Sequence, residues 1–215
     1  MRTITTARLA SGLLHPYAIQ GVGTLPLILL HGYTDSWRSF ETVLDRLPPH
    51  MRAVAYSQRG HGDADRPDHA YRPEDFASDL KHFMNALGID RAVIAGHSMG
   101  ANVALRFAID HPGRTAGLAL LGGYASLAAN PVIADLWDSG VALLSDPVDP
   151  AFARDFQAST LARPVARGFM DMVVAESLKV PARVWRATLR ACIDSDFTDD
   201  LVRIAAPTLI LWGNR

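Results

Sequence analysis

Short apolar runs alternate along the chain with longer stretches whose apolar residues recur every three or four positions. That alternation predicts strands joined by crossover helices in a largely parallel sheet. The runs Leu27–Leu30, Ala53–Tyr56, Ala92–Ala95, Leu118–Leu121 and Thr208–Trp212 are the expected buried strands. Phe76, Leu80, Phe83, Met84 and Leu87 share one face of a helix that Pro73 can open and Gly88 can close. Before Gly23 a weaker alternation, broken by Gly12, Pro16 and Gly21, predicts a hairpin or two edge strands. From Ala125 to Ala206 no strand-like run occurs, and Pro131, Pro147, Pro150, Pro164 and Pro181 divide helix-length segments. One of these helices is marked by Trp185, Thr188, Leu189 and Cys192. The expected organisation is a core over 1–124, a helical insertion over 125–206 and a further core strand in 207–215.

Composition narrows the functional classes. The chain has 215 residues, 49% of them hydrophobic, and its 21 Lys and Arg against 22 Asp and Glu give a net charge of −1. This is the make-up of one globular unit with ample core. No long basic run offers a surface for nucleic acid or an anionic membrane, so a small-molecule partner is expected. The four residues Leu27–Leu30 form the longest aliphatic stretch, far short of the roughly 20 needed to span a bilayer. The first residues carry arginines but no apolar leader segment. The lone Cys192 reads as a small buried hydrophobe. A cytoplasmic location is the expectation.

The chemistry concentrates at Gly96-His97-Ser98-Met99-Gly100, between the Ala92–Ala95 strand and a segment whose Ala101, Ala104, Leu105 and Ala108 share a helical face. A serine on so tight a strand-to-helix turn needs small residues two positions to either side and has its hydroxyl pushed out at the carboxyl end of the sheet. The helix N-terminus beside it favours developing negative charge. Ser98 is therefore the expected nucleophile. His31-Gly32-Tyr33 follows the strand Leu27–Leu30, and a glycine there lets a backbone N–H approach a substrate. The N–H groups of Tyr33 and Met99 are the expected oxyanion donors.

With these residues and the loop Arg59-Gly60-His61-Gly62, in this order and at these separations, the chain resembles the α/β-hydrolase superfamily over nearly its whole length. It is similar in particular to serine esterases, enol-lactonases and cofactor-free haloperoxidase-like members. The resemblance implies a mostly parallel twisted sheet with helices on both faces and a helical lid at 125–206. It also implies hydrolysis of a carboxylic ester or lactone without a cofactor. In dehalogenases and epoxide hydrolases the nucleophile position generally holds aspartate, and here it holds Ser98. Perhydrolysis or C–C bond cleavage at the same site is the alternative implied, and a non-catalytic ligand-binding protein is the alternative from another class. The family's acid and histidine would follow the strand at Thr208–Trp212, yet no histidine occurs after His111 and no carboxylate follows Leu121 in Gly122-Gly123-Tyr124. The expectation is a chain truncated before the last strand and helix, with an exposed apolar edge prone to self-association.

His97 adjoins Ser98, but neighbouring side chains at a sharp turn diverge, which makes it a poor base and a candidate substrate contact. His31, Gly32, Trp37 and Tyr124 are the other expected substrate-binding residues, His31 being expected to organise the oxyanion loop as well. Leu127, Trp137, Leu143, Phe152, Phe156, Phe169 and Met172 are expected mainly as lid core. His82 lies off its helix's apolar stripe and is expected in solvent, while His111 suits a helix C-terminus in its cationic form. His61 to His69 is rich in possible ligands but fails the calcium-loop pattern, with Pro67 and Asp68 where Asp or Asn and then Gly belong. No metal is expected, and that stretch is read as a polar loop at the pocket entrance.

Overall fold

The computed structural model describes residues 2–213, which form a seven-stranded sheet in the order β1-β2-β4-β3-β5-β6-β7. The strands are β1 (Thr3–Arg8), β2 (Leu14–Gln20), β3 (Leu27–Leu30), β4 (Ala53–Tyr56), β5 (Ala92–His97), β6 (Thr115–Leu121) and β7 (Thr208–Leu211). β1 and β2 make the N-terminal hairpin and β2 runs antiparallel to β4, after which every neighbour is parallel. Helices α1 (Glu41–Leu44), α2 (Pro73–Ala86) and α3 (Met99–Asp110) connect the early strands, and α4 (Pro131–Ser139), α5 (Pro150–Ser159), α6 (Arg167–Leu178) and α7 (Ala182–Asp194) lie between β6 and β7.

The four-residue runs of β3 and β4 coincide with the strands, because these central segments are buried on both faces and show up as unbroken apolar sequence. β5 and β6 are longer than their apolar runs, reaching His97 and starting at Thr115, since backbone pairing from Ala92↔Thr115 to His97↔Leu121 continues past the apolar stretch. β7 ends at Leu211 rather than Trp212. In α2 the stripe Phe76, Leu80, Phe83 and Met84 is buried, and Gly88 with φ +63° follows the C-terminal turn.

Two apolar layers flank the sheet. One packs α2, α3 and α7 on Ile28, Leu30, Val54, Tyr56 and Ile94. The other, thinner layer packs Trp37, Phe40 and Leu44 on Ala18, Leu29, Ala53, Ala55 and Ala95. The buried face of α7, Trp185, Thr188, Leu189 and Cys192, is the one its spacing predicts, and it joins the main core. Among the described residues β7 pairs only with β6, and Leu209, Ile210 and Leu211 are 50–65% exposed, with Trp212 at 70%. The apolar edge expected at this end of the sheet is therefore present among the described residues. No helix of the described residues is long and apolar enough to cross a membrane.

An ion pair is built into the main layer. Asp79, on the inward face of α2, accepts two hydrogen bonds from Arg59 at 2.6 and 2.7 Å. His15 Nε2 lies 3.7 Å from the same carboxylate, while its Nδ1 bonds the Ser57 carbonyl at 2.8 Å. Burial lowers the pKa of His15 against the raising effect of Asp79. Removing one partner of such a pair leaves the other charge buried and uncompensated. Asp79→Ala is expected to destabilise the fold by about 3–5 kcal/mol, read as a lower urea midpoint at an unchanged slope.

Candidate active site

The parallel register pairs Leu30 with Gly96, so the chain leaving β3 through His31, Gly32 and Tyr33 runs beside the chain leaving β5 through His97, Ser98 and Met99. Ser98 bridges β5 and α3 at φ +50°, ψ −116°, a region that L-residues rarely occupy and that costs on the order of 1–3 kcal/mol. Its backbone N–H donates to the Leu121 carbonyl at 2.9 Å, and its own carbonyl accepts from the N–H groups of Ala101 and Asn102. Its side chain makes no capping bond to the helix and is half-buried.

The flanking glycines are sterically required. A Cβ on Gly96 would collide with the Gly100 carbonyl, and one on Gly100 would collide with the Leu30 carbonyl and lie 2.7 Å from that of His31. The first turn of α3 thus rests directly on the end of β3. Gly32 is less confined, since its Cβ would meet only side chains, standing 2.9 Å from Nδ1 of the exposed His97 and 3.5 Å from Asp35 Oδ2. Neither Tyr33 N–H nor Met99 N–H donates to a backbone carbonyl among the described residues. Met99 opens a helix whose first amides have no intrahelical partner.

The structure separates the other expected contacts. His31 is fully buried, with Nδ1 bonded to the Gly32 carbonyl at 2.8 Å and Nε2 accepting from Gln58 N–H at 2.9 Å. It organises the loop and does not present itself to a substrate. Burial, with His61 nearby, holds its pKa well below the ordinary range and keeps it neutral. Trp37 is 8% exposed, packs on the opposite sheet face and lies under the Arg2 guanidinium. The reason is a 3-10 turn at Trp37–Phe40, capped by Ser36 Oγ, which folds the chain toward that other face. Tyr33 points into the helical segment, its ring edge-on to Phe156 and Trp185 and its hydroxyl donating to the Trp185 carbonyl at 2.6 Å. Tyr124 is half-buried against Cys192, whose thiol is pushed up to about 11 by burial. His97 is exposed beside Gly32.

Several further expectations need correction. His82 is half-buried with its Nδ1 enclosed, because α2 packs on more than its apolar stripe. His111 does end α3, but burial, aided by Lys81, lowers its pKa and disfavours the cationic form. Leu143 is 74% exposed, whereas Leu127, Trp137, Phe152 and Phe156 pack on the main core. The polar loop after His61 ties down the helical segment, Asp63 pairing with Lys179 at 2.9 Å and Arg183 donating to the carbonyls of Arg66 and Pro67, while Asp65 holds the loop to β2 by accepting from Leu14 N–H. Among the described residues no group of three His, Cys, Asp or Glu is placed to hold a metal.

Sequence reasoning missed Thr34, Asp35, Gln157 and Ser177, a buried polar cluster joining the Gly32 loop to α5 and α6. Nothing local marks Gln157. Asp79 left a signal, an acid on the inward face between Phe76 and Phe83, a position that demands a buried cation.

Residues 26–188 match the family model for the alpha/beta hydrolase fold, and the chain belongs to that family. It is 34% identical over 95 residues to a soluble epoxide hydrolase from Corynebacterium sp. (strain C12), a match covering 44% of this chain and 33% of that protein. The chain thus spans about a third of that relative's length. It is 28% identical over 207 residues to the AB hydrolase superfamily protein YisY of Bacillus subtilis (strain 168), covering 88% of this chain and 74% of the relative. Among solved structures, an esterase from Exiguobacterium antarcticum superposes with a TM-score of 0.85 at 21% identity, over 97% of this chain and 80% of that one. At that identity the likeness is one of fold.

Two outcomes follow from the geometry. Gly100→Ala is expected to cost at least about 3 kcal/mol, because the added methyl meets backbone that cannot yield, and soluble yield with the melting midpoint checks this. His61 is buried and its pKa is depressed to about 4. Unfolded it titrates near 6.5, so the stability that comes from keeping it neutral is fully present above about pH 6.5 and lost as the pH falls to about 4, about 3 kcal/mol in all. Urea unfolding between pH 7 and pH 4 is expected to show that loss, and His61→Gln to lose correspondingly less.

Proposed function

We propose that the protein is a serine hydrolase of carboxylic esters or lactones that works through an acyl-enzyme at Ser98. The observation that carries this reading is the backbone of Ser98, held at φ +50° between glycines that have no room for a Cβ. Such strain at a strand-to-helix junction has a use when it exposes a hydroxyl beside backbone donors. Ser98 Oγ attacks the carbonyl, the emerging oxyanion is held by the Tyr33 and Met99 amides, and collapse expels the alkoxide or opens the lactone ring. Water then releases the acid. A base must take the Ser98 proton and return it to the leaving oxygen. The family resemblance implies a histidine oriented by a carboxylate in that role, and we assign the helices between β6 and β7 as the lid. The part-buried rings of Tyr33 and Phe156 beside the Gly32 loop suit a modest apolar acyl group.

Serine at position 98 also bears on the epoxide-hydrolase likeness. A serine that opened an epoxide would be left as an ether, which water cannot readily cleave, whereas an acylated serine is an ester and turns over. No cofactor enters this chemistry.

In the full-length protein, a fluorophosphonate is expected to label Ser98, and Ser98→Ala is expected to lower kcat on p-nitrophenyl esters by at least about 10⁴-fold. Undiminished hydrolysis by the alanine variant, or labelling elsewhere, would falsify the assignment.

A further inference from the structure

Gly32 to Asp35 form a reverse turn closed by Asp35 N–H on the Gly32 carbonyl at 3.2 Å. Thr34 occupies its third position at φ +63°, where glycine or asparagine is favoured and a β-branched residue is strained. Tyr33, whose N–H is the proposed oxyanion donor, directly precedes it. Relaxing Thr34 to negative φ would flip the Tyr33–Thr34 peptide and open the turn, releasing the adjoining Gly32–Tyr33 peptide that carries the Tyr33 N–H.

What holds the turn comes from far along the chain. Gln157, on α5 and 6% exposed, places its amide nitrogen 3.0 Å from Asp35 Oδ1, 2.9 Å from Ser177 Oγ and 3.4 Å from Thr34 Oγ1. Ser177, on α6, is 3.0 Å from Thr34 Oγ1 and donates to the Val173 carbonyl. Thr34 and Ser177 are fully buried and Asp35 is 8% exposed, so water does not stand in for these partners. Burial pushes the Asp35 carboxyl up from the ordinary range, against the lowering pull of Gln157 and His97.

We propose that Gln157 is a positioning residue, the clasp by which the helices between β6 and β7 hold the strained Gly32–Asp35 turn and thereby aim the Tyr33 amide at the Ser98 site. Its catalytic consequence rests on the serine-hydrolase reading above. The clasp itself does not.

The test uses the full-length protein with Gln157→Ala, Gln157→Glu, Asp35→Asn and the double variant Asp35→Asn with Gln157→Glu. Hydrogen exchange is followed in the peptide covering 32–36 and, as a control, in β5, while kcat and KM are measured on p-nitrophenyl butyrate. Gln157→Ala is expected to speed exchange in 32–36 but not in β5. It is expected to lower kcat about ten- to a hundredfold with KM within about threefold, the signature of a displaced transition-state donor. Gln157→Glu alone sets two carboxyl groups together and is expected to behave likewise. In the double variant the side-chain amide now at position 35 donates to the carboxylate now at position 157, reversing the bond, and exchange and kcat are expected to recover. Unchanged exchange in Gln157→Ala, or a double variant no better than its single parents, overturns the clasp. Should Gln157→Ala not fold, the comparison of Gln157→Glu with the double variant decides. If the wild type neither reacts at Ser98 nor hydrolyses the ester, the hydrolase reading falls, and the exchange measurement still decides whether Gln157 holds the turn.

Discussion

The candidate site depends on backbone touching backbone. α3 begins so close to the end of β3 that Gly100 has no space for a side chain, and β5 turns into α3 so tightly that Gly96 has none either. This contact brings the chain after β3 beside the chain after β5 and leaves Ser98 in a conformation unfavourable by itself. The conformation persists because its surroundings fix it. The Leu121 carbonyl holds its N–H, Ala101 and Asn102 hold its carbonyl, and α3 is buried along nearly its whole length. Hydrophobic burial supplies the driving force but has no direction. The glycine contacts supply the direction.

A second set of constraints is polar and long-range. Arg59 and Asp79 lock the loop after β4 to α2, His31 and Gln58 lock that same loop to the end of β3, and Gln157 ties the Gly32 turn to α5. Each bond lies in a region of low dielectric, where an unpaired partner is costly. Each therefore fixes how two pieces of chain sit against one another, which apolar packing alone would leave loose. The neutral, buried His31 and His61 belong to this framework.

Much of the fold is legible in the sequence because its signals are local. The parallel strands β3 and β4 appear as apolar runs, α2 and α7 as stripes, and the strand-to-helix turn as Gly-x-Ser-x-Gly, since each reflects the period or sterics of a few consecutive residues. The placement of side chains around the turn is less legible. Trp37 lies near the end of β3 in sequence, yet one capped 3-10 turn sends it to the other face of the sheet.

By itself, then, the sequence determined the elements, the parallel core and the strained serine with its glycine neighbours, because periodicity and backbone sterics act over a few residues. Only the tertiary structure decided which polar groups meet: Asp79 with Arg59 across 20 residues, Gln157 with Asp35 across 122. Such pairs are set by the way helices dock on the sheet, and a buried glutamine or aspartate looks the same in sequence as one facing solvent.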